Sequence, residues 1–157
     1  MRAMILPALA LLAACGEARE MSSDEKVAEI EQANRGQAVA VTPDKILYPD
    51  IEQHGLTDPA CAFAPDGGGM APVALAMADR AVMKVSGEII EFAPDNGVQK
   101  GPEVAWTKYD GREWSLRFGL GQEEAGALSG KRYEASLELR DGKDRTVYQA
   151  SGYAQCP

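Results

Sequence analysis

The sequence predicts a mainly β protein, a small antiparallel β-barrel or sandwich over residues 59–157, preceded by a helical tether over residues 15–58. Residues 132–140 and 113–118 alternate apolar with polar side chains, which is typical of antiparallel strands that bury one face. The other candidate strands are shorter, and turn signals separate them. Seven or eight short strands at this spacing indicate a barrel or a sandwich, and the pattern leaves both open.

The first 14 residues have the organisation of an export signal. Arg2 supplies a basic start, an apolar run follows, and the run ends in LAACG at positions 12–16. This run is shorter than the roughly 20 residues that a membrane-spanning helix needs. Residues 12–16 resemble the lipobox of bacterial lipoproteins. In that family the cysteine, here Cys15, becomes the first mature residue and carries acyl chains.

The lipobox resemblance implies that the protein is anchored to a membrane through Cys15 and faces the periplasm. Two or more acyl chains suffice for stable anchoring. An ordinary secretory peptide with an incidental cysteine is the alternative. Gly16 follows the cysteine, whereas an aspartate at that position retains enterobacterial lipoproteins at the inner membrane. The resemblance therefore favours the outer membrane over the inner one.

The tether is expected to contain short helices. Ser22 and Glu25 have the spacing of a capping box, which predicts a helix over residues 23–34. Its apolar stripe is thin, and this favours a solvated spacer over a helix packed on the domain. A second helix start is expected at residues 42–44, where proline follows a threonine cap. Pro49 then limits the next segment to short helical turns, which form a lid or strap across the domain.

Eight segments of the β region are expected to form strands. They are residues 61–64, 73–78, 81–85, 88–93, 104–109, 113–118, 132–140 and 146–154. Three glycines at positions 67–69 follow the first segment. Because a strand-like run comes next and no lysine is near, a hairpin connection is favoured over a phosphate-binding loop.

Two cysteines bracket the predicted strands once Cys15 is assigned to lipidation. The periplasm is oxidising, and an even number of cysteines remains for pairing. We therefore predict that Cys61 and Cys156 form a disulfide. The sequence separation of the pair is 95 residues, so the bridge is expected to tie the first strand of the domain to the last. A redox-active pair is disfavoured, because neither cysteine has a Cys-x-x-Cys setting.

The composition excludes some partners and favours others. The chain has 157 residues and a formal net charge of −8, which becomes one unit more negative without Arg2. Nucleic acid is not an expected partner, since phosphate contacts need basic residues. Anionic headgroups would repel the chain, so the lipid would provide the anchoring. A cationic protein partner is electrostatically favoured.

The sequence contains no recognisable catalytic or metal-binding set. His54 is the single histidine, whereas hydrolytic triads and most zinc sites need histidine among other specific groups. Glu123 and Glu124 fall in a predicted glycine-rich loop, where exposed acids are expected. We therefore expect a non-catalytic protein with no cofactor and no metal.

Three residues are candidates for contact with a partner. Trp106 lies on a predicted strand with no cleanly apolar face, so it is either a core residue with Lys108 at the rim or part of an exposed patch. In the second case Trp106, Lys108 and Arg112 would form the contact surface, as tryptophan beside a cation often does at interfaces.

The tripeptide at positions 106–108 is similar to the Trp-x-Lys motif of membrane-bound inhibitors of C-type lysozyme, which are small disulfide-containing β-barrel lipoproteins. In that family a lysine enters the lysozyme cleft, a role that would fall to Lys108; Tyr109 stands where the family has glycine. We expect a non-catalytic cell-envelope lipoprotein that binds or scaffolds an envelope protein at the membrane surface. The alternatives are a lysozyme-inhibitor-like protein and a periplasmic carrier of a lipid or small apolar ligand.

Overall fold

A computed structural model describes residues 22–98, 106–124 and 130–157 of the chain. The chain divides into two compact units, Met1–Gly36 and Gln37–Pro157. The predicted signal segment, residues 1–14, and the lipidation site Cys15 lie outside the described residues. In the described part, no helix has the length and the apolar character needed to cross a membrane.

The first unit contains helix α1 (Ser23–Arg35), so the predicted N-terminal helix is confirmed. Its capping box forms as the spacing predicts: the Glu25 N–H donates to the Ser22 hydroxyl at 3.2 Å, and the Ser22 N–H donates to the Glu25 carboxylate at 2.8 Å. Val27 and Ile30 are exposed to 53% and 59%, so the thin apolar stripe buries little surface.

The second unit is a closed eight-stranded antiparallel β-barrel, which decides between the barrel and the sandwich. Its strands are β2 (Cys61–Pro65), β3 (Ala74–Ala76), β4 (Ala81–Val85), β5 (Glu88–Pro94), β6 (Lys108–Asp110), β7 (Trp114–Glu124), β8 (Lys131–Asp141) and β9 (Thr146–Cys156). Each strand pairs with the next one along the chain, and β9 pairs with β2. A short strand, β1 (Pro43–Asp44), extends the sheet beside the end of β4.

The contact between β2 and β9 closes the barrel. Cys61 and Cys156 are joined there by a disulfide with a Cα–Cα distance of 4.2 Å, which confirms the predicted pair and its position between the first and last barrel strands. Gly152 lies on the same seam, where a Cβ atom would collide with the carbonyl oxygen of Ala64. The close approach of the two strands therefore requires glycine at this position.

Large side chains fill the interior of the barrel. Every second residue of each strand points inward, as the strand period dictates. The rings of Phe63 and Phe118 meet edge to face with centroids 6.1 Å apart, and Tyr109 and Leu137 are fully buried beside them. Such a pair stabilises the core by about 0.5–1.5 kcal/mol beyond its area burial.

A strap packs on the outside of the barrel wall. It contains helix α2 (Tyr48–His54), which ends at Gly55 in the left-handed conformation. Ile46 and Leu56 flank this helix and pack against the outward-facing side chains of Leu75 and Val82. The prediction of a strap across the domain is therefore confirmed.

An ion pair also holds the strap. The ammonium of Lys84 on β4 lies 2.7 Å from the Asp50 carboxylate, and both side chains are 16% exposed. The hydrogen bond from Lys84 lowers the pKa of Asp50, and the bond from the backbone N–H of Leu47 lowers it further. Asp50 thereby fixes both the start of α2 and its position on the wall.

Residues 37–44 cross one end of the barrel. The Val41 N–H donates to the Val147 carbonyl at 2.8 Å, and the Gly87 N–H donates to the Asp44 carboxylate at 2.7 Å. The helix start predicted at residues 42–44 is therefore wrong. The Asp44 carboxylate accepts a hydrogen bond from the turn between β4 and β5 and does not begin a helix. Pro43 lies in an extended strand.

Other boundaries differ from prediction in smaller ways. Pro49 lies in the first turn of a single helix, where its missing N–H costs no hydrogen bond, and does not divide two helical turns.

Strand β7 continues to Glu124, so Glu123 and Glu124 end a strand and do not lie in a loop. The compact unit that holds the barrel begins at Gln37, so the strap and β1 belong to it.

Candidate functional site

Trp106 packs at one end of the barrel. Its side chain is half-buried against the core. The indole N–H donates to the Ala78 carbonyl at 3.1 Å, and the backbone N–H donates to the Tyr109 hydroxyl at 2.9 Å. These bonds give Trp106 a structural role, in line with the core alternative considered for it.

Lys108 points outward from β6 between two carboxylates. Its ammonium lies 2.9 Å from Asp95 and 3.1 Å from Asp110, and the side chain is 29% exposed. Hydrogen bonds to Asp95 and then to Asp110 raise the pKa of Lys108. The same Lys108 bond, followed by one from the Gly97 N–H, lowers the pKa of Asp95. The Lys108 ammonium is thus already paired with two carboxylates of the same protein.

Arg112 is exposed in the turn between β6 and β7, at the other end of β6 from Trp106. Three surface depressions meet at this residue. The three predicted contact residues therefore do not converge on one surface. Trp106 contacts the barrel end and Lys108 its neighbouring acids, while Arg112 lies beside a cleft that sequence reasoning did not predict.

The cleft lies between β5 and the β6–β7 turn and has a volume of about 470 Å³. Its apolar lining consists of Val85, Ile89, Ile90 and Trp114. All four side chains are half-buried, and those other than Ile89 pack against the barrel core. Trp114 packs against the core with buried Leu116 and Phe118 of the same strand, and part of it remains at the cleft surface. An exposed arginine beside a half-exposed tryptophan is typical of protein-contact sites.

The rim of the cleft is mainly acidic. Glu88, Glu91 and Glu113 are exposed around it, and Arg112 is the one basic residue among those that line it. The guanidinium of half-buried Arg80 lies 3.8 Å from the carboxylate of exposed Glu91, and a surface ion pair of this length is weak. The excess of carboxylates gives the cleft a negative potential, which favours a cationic ligand.

Within residues 22–98, 106–124 and 130–157, no three histidine, cysteine or acidic side chains are placed to hold a metal ion. His54 is exposed in the last turn of α2. The cleft beside Arg112 and Trp114 offers contact surface and the hydrogen-bond donors of these two side chains.

Comparisons with known proteins found no relatives: no family model, no curated protein and no solved structure matches this chain.

Proposed function

We propose that this protein is a non-catalytic lipoprotein of the cell envelope that binds or scaffolds an envelope protein at the membrane surface. Its anchor would be the acylated Cys15, facing the periplasm and more suited to the outer than the inner membrane. The cleft between β5 and the β6–β7 turn carries the proposal, because Trp114 and Arg112 both line it at the surface. Tryptophan and arginine are enriched among residues that dominate binding energy.

Two observations favour protein binding over the alternatives. A carrier of an apolar ligand needs an empty interior, whereas Phe63, Phe118 and Tyr109 occupy the centre of this barrel. A lysozyme-inhibitor-like contact would need the Lys108 ammonium to enter a partner's cleft, and its ion pairs with Asp95 and Asp110 oppose this. Lys108 remains a candidate for that alternative only if a partner displaces Asp95 and Asp110.

Site-specific photocrosslinking in cells tests the contact surface. A photoreactive residue replaces Arg112 in the full-length chain, and in the control it replaces Arg117, an exposed arginine of β7 that does not line the cleft. We expect a discrete protein adduct from position 112 and none from position 117. Equal labelling from both positions, or none from position 112, would contradict the proposed surface.

Cell fractionation tests the anchor separately. Cys15→Ser removes the acylation site and leaves the sequence of the barrel unchanged, so the protein should move from the membrane fraction to the soluble periplasmic fraction. The matched control is Cys61→Ser with Cys156→Ser, which also removes thiols but leaves Cys15 intact. Full membrane association of the Cys15→Ser variant would rule out a lipid anchor.

A further inference from the structure

Strand β5 extends past the end of its shorter neighbour β6. β4 pairs with β5 from Glu88 to Phe92, whereas β6 pairs with β5 only at Ala93 and Pro94. In the described part of the chain, the second side of residues 88–92 therefore has no strand partner. This free edge borders the cleft described above.

The backbone groups at this edge can be assigned from strand alternation. The Asp95 N–H donates to the Lys108 carbonyl at 3.0 Å and so points to the β6 side. Every second residue of a strand sends its N–H and C=O to the same side. Ile89 and Glu91 thus present their backbone groups to the free edge, while those of Ile90 face β4.

We infer that an extended, basic segment of a partner protein adds to β5 as a further strand and occupies the cleft. The inference rests on the proposed function and specifies its binding mode. In strand addition, main-chain hydrogen bonds provide affinity and pockets for alternate side chains provide specificity. Here Ile89 and Glu91 supply the main-chain groups, and the apolar lining at Ile90 and Trp114 receives alternate side chains.

The charges at the edge determine which occupant fits. Glu88, Glu91 and Glu113 surround it, so lysine or arginine side chains of an incoming strand would meet carboxylates. Arg112 fits the same arrangement, because its guanidinium has N–H donors for the carbonyl groups of an added strand. A second copy of this chain fits poorly, since it would bring its own Glu88 and Glu91 alongside the first pair.

Peptide binding to the full-length chain in detergent micelles tests this inference. The probe is a capped heptapeptide, VKVKVKV, compared with VEVEVEV of the same length and apolar pattern. We expect the basic peptide to bind at least about tenfold tighter, since three carboxylates surround the edge. At ten times its dissociation constant it should slow amide exchange of Ile89 and Glu91 by about tenfold. The Ile90 amide, which faces β4, is the internal control and should not change.

Charge reversal adds a matched pair of variants. Glu88→Lys with Glu91→Lys should abolish the preference for the basic peptide, whereas Glu134→Lys, an exposed acid on β8, should leave it unchanged. Absence of VKVKVKV binding, or binding without slower exchange at Ile89 and Glu91, would overturn strand addition. Sedimentation that shows dimers formed through this edge would instead identify a second copy as occupant and overturn the basic partner.

The two proposals fail in distinguishable ways. An adduct from position 112 in cells, combined with no peptide binding at β5, leaves the protein-binding function standing and rejects the strand-addition mode. Peptide binding at Ile89 and Glu91 without an adduct in cells supports the edge as a strand acceptor and rejects an envelope partner at the proposed surface.

Discussion

The hydroxyl of buried Tyr109 accepts a hydrogen bond from the backbone N–H of Trp106 at 2.9 Å. It also donates to the Met77 carbonyl at 3.2 Å, so one phenol satisfies two backbone groups from different segments. Burial raises the pKa of Tyr109, which keeps the hydroxyl neutral and able to donate. This link holds the segment that carries Trp106 to the turn between β3 and β4.

Tyr109→Phe should destabilise the protein by about 1–3 kcal/mol, because two backbone groups lose a partner at a buried site. Denaturant unfolding followed by circular dichroism measures the loss. Tyr148→Phe is the control: Tyr148 is half-buried, and within the described residues its hydroxyl makes no hydrogen bond. A free energy of unfolding that is equal in the two variants would contradict the role given to Tyr109.

The disulfide should contribute strongly to stability. Cys61→Ser with Cys156→Ser opens a loop of 95 residues in the unfolded chain. Chain-entropy arguments give an upper estimate of about 4–5 kcal/mol for a loop of this length. Thermal unfolding of the wild-type protein with and without reductant should reproduce the lowered midpoint of the variant. An unchanged midpoint in both experiments would show that the bridge adds no stability.

Loss of strap packing should leave the barrel folded. Leu56 is 1% exposed under the strap, whereas Leu47 is 51% exposed on it, so the two leucines form a matched pair. Leu56→Ala should cost about 2–5 kcal/mol in strap stability, and Leu47→Ala much less. Amide exchange should rise over residues 45–56 while the barrel strands stay protected. Equal effects of the two substitutions would argue against packing by Leu56.

Acid should destabilise the protein partly through Asp141. The Arg145 guanidinium, 2.7 Å away, together with the backbone N–H groups of Arg145 and Lys143, lowers the pKa of Asp141 to about 2. This value is below the unfolded-state pKa of about 3.9, so the carboxylate adds stability above about pH 4 that is lost as the pH falls toward 2. Asp141→Asn should therefore flatten the stability curve between pH 5 and 2. If the free energy of unfolding fell equally between pH 5 and 2 in the wild-type protein and the variant, this linkage would be refuted.

Most of the barrel strands could be predicted, because each strand is a short segment with a regular alternation of apolar and polar residues. The alternation of residues 132–140 predicts β8 to within one residue at each end. The predicted β7 is too short, because Gly119 and Gly121 interrupt the apolar pattern. These glycines lie within the strand and pass close to β8, where a Cβ atom at either position would press against it. Barrel closure was not decidable from sequence, since it depends on the pairing of β2 with β9.

The candidate site was harder to predict, because its geometry depends on where strands stop. The tripeptide at 106–108 carries no sign that Asp95, thirteen residues away, holds Lys108. The cleft exists because β6 ends at Asp110, short of the span of β5. A predicted strand over residues 104–109 gives no information on that ending, and residues 104 and 105 lie outside the described residues.

The seam between β2 and β9 also determines the order in which this chain can fold. The other seven barrel contacts join strands that follow one another along the chain, whereas this one joins residues separated by nearly the whole domain. Distant contacts form late, since the loop entropy must be overcome first. The pairing of β2 with β9 brings Cys61 and Cys156 together, so barrel closure favours the formation of their bridge. Thiol labelling of the Cys15→Ser chain, which keeps only Cys61 and Cys156, would then follow the closure of the barrel.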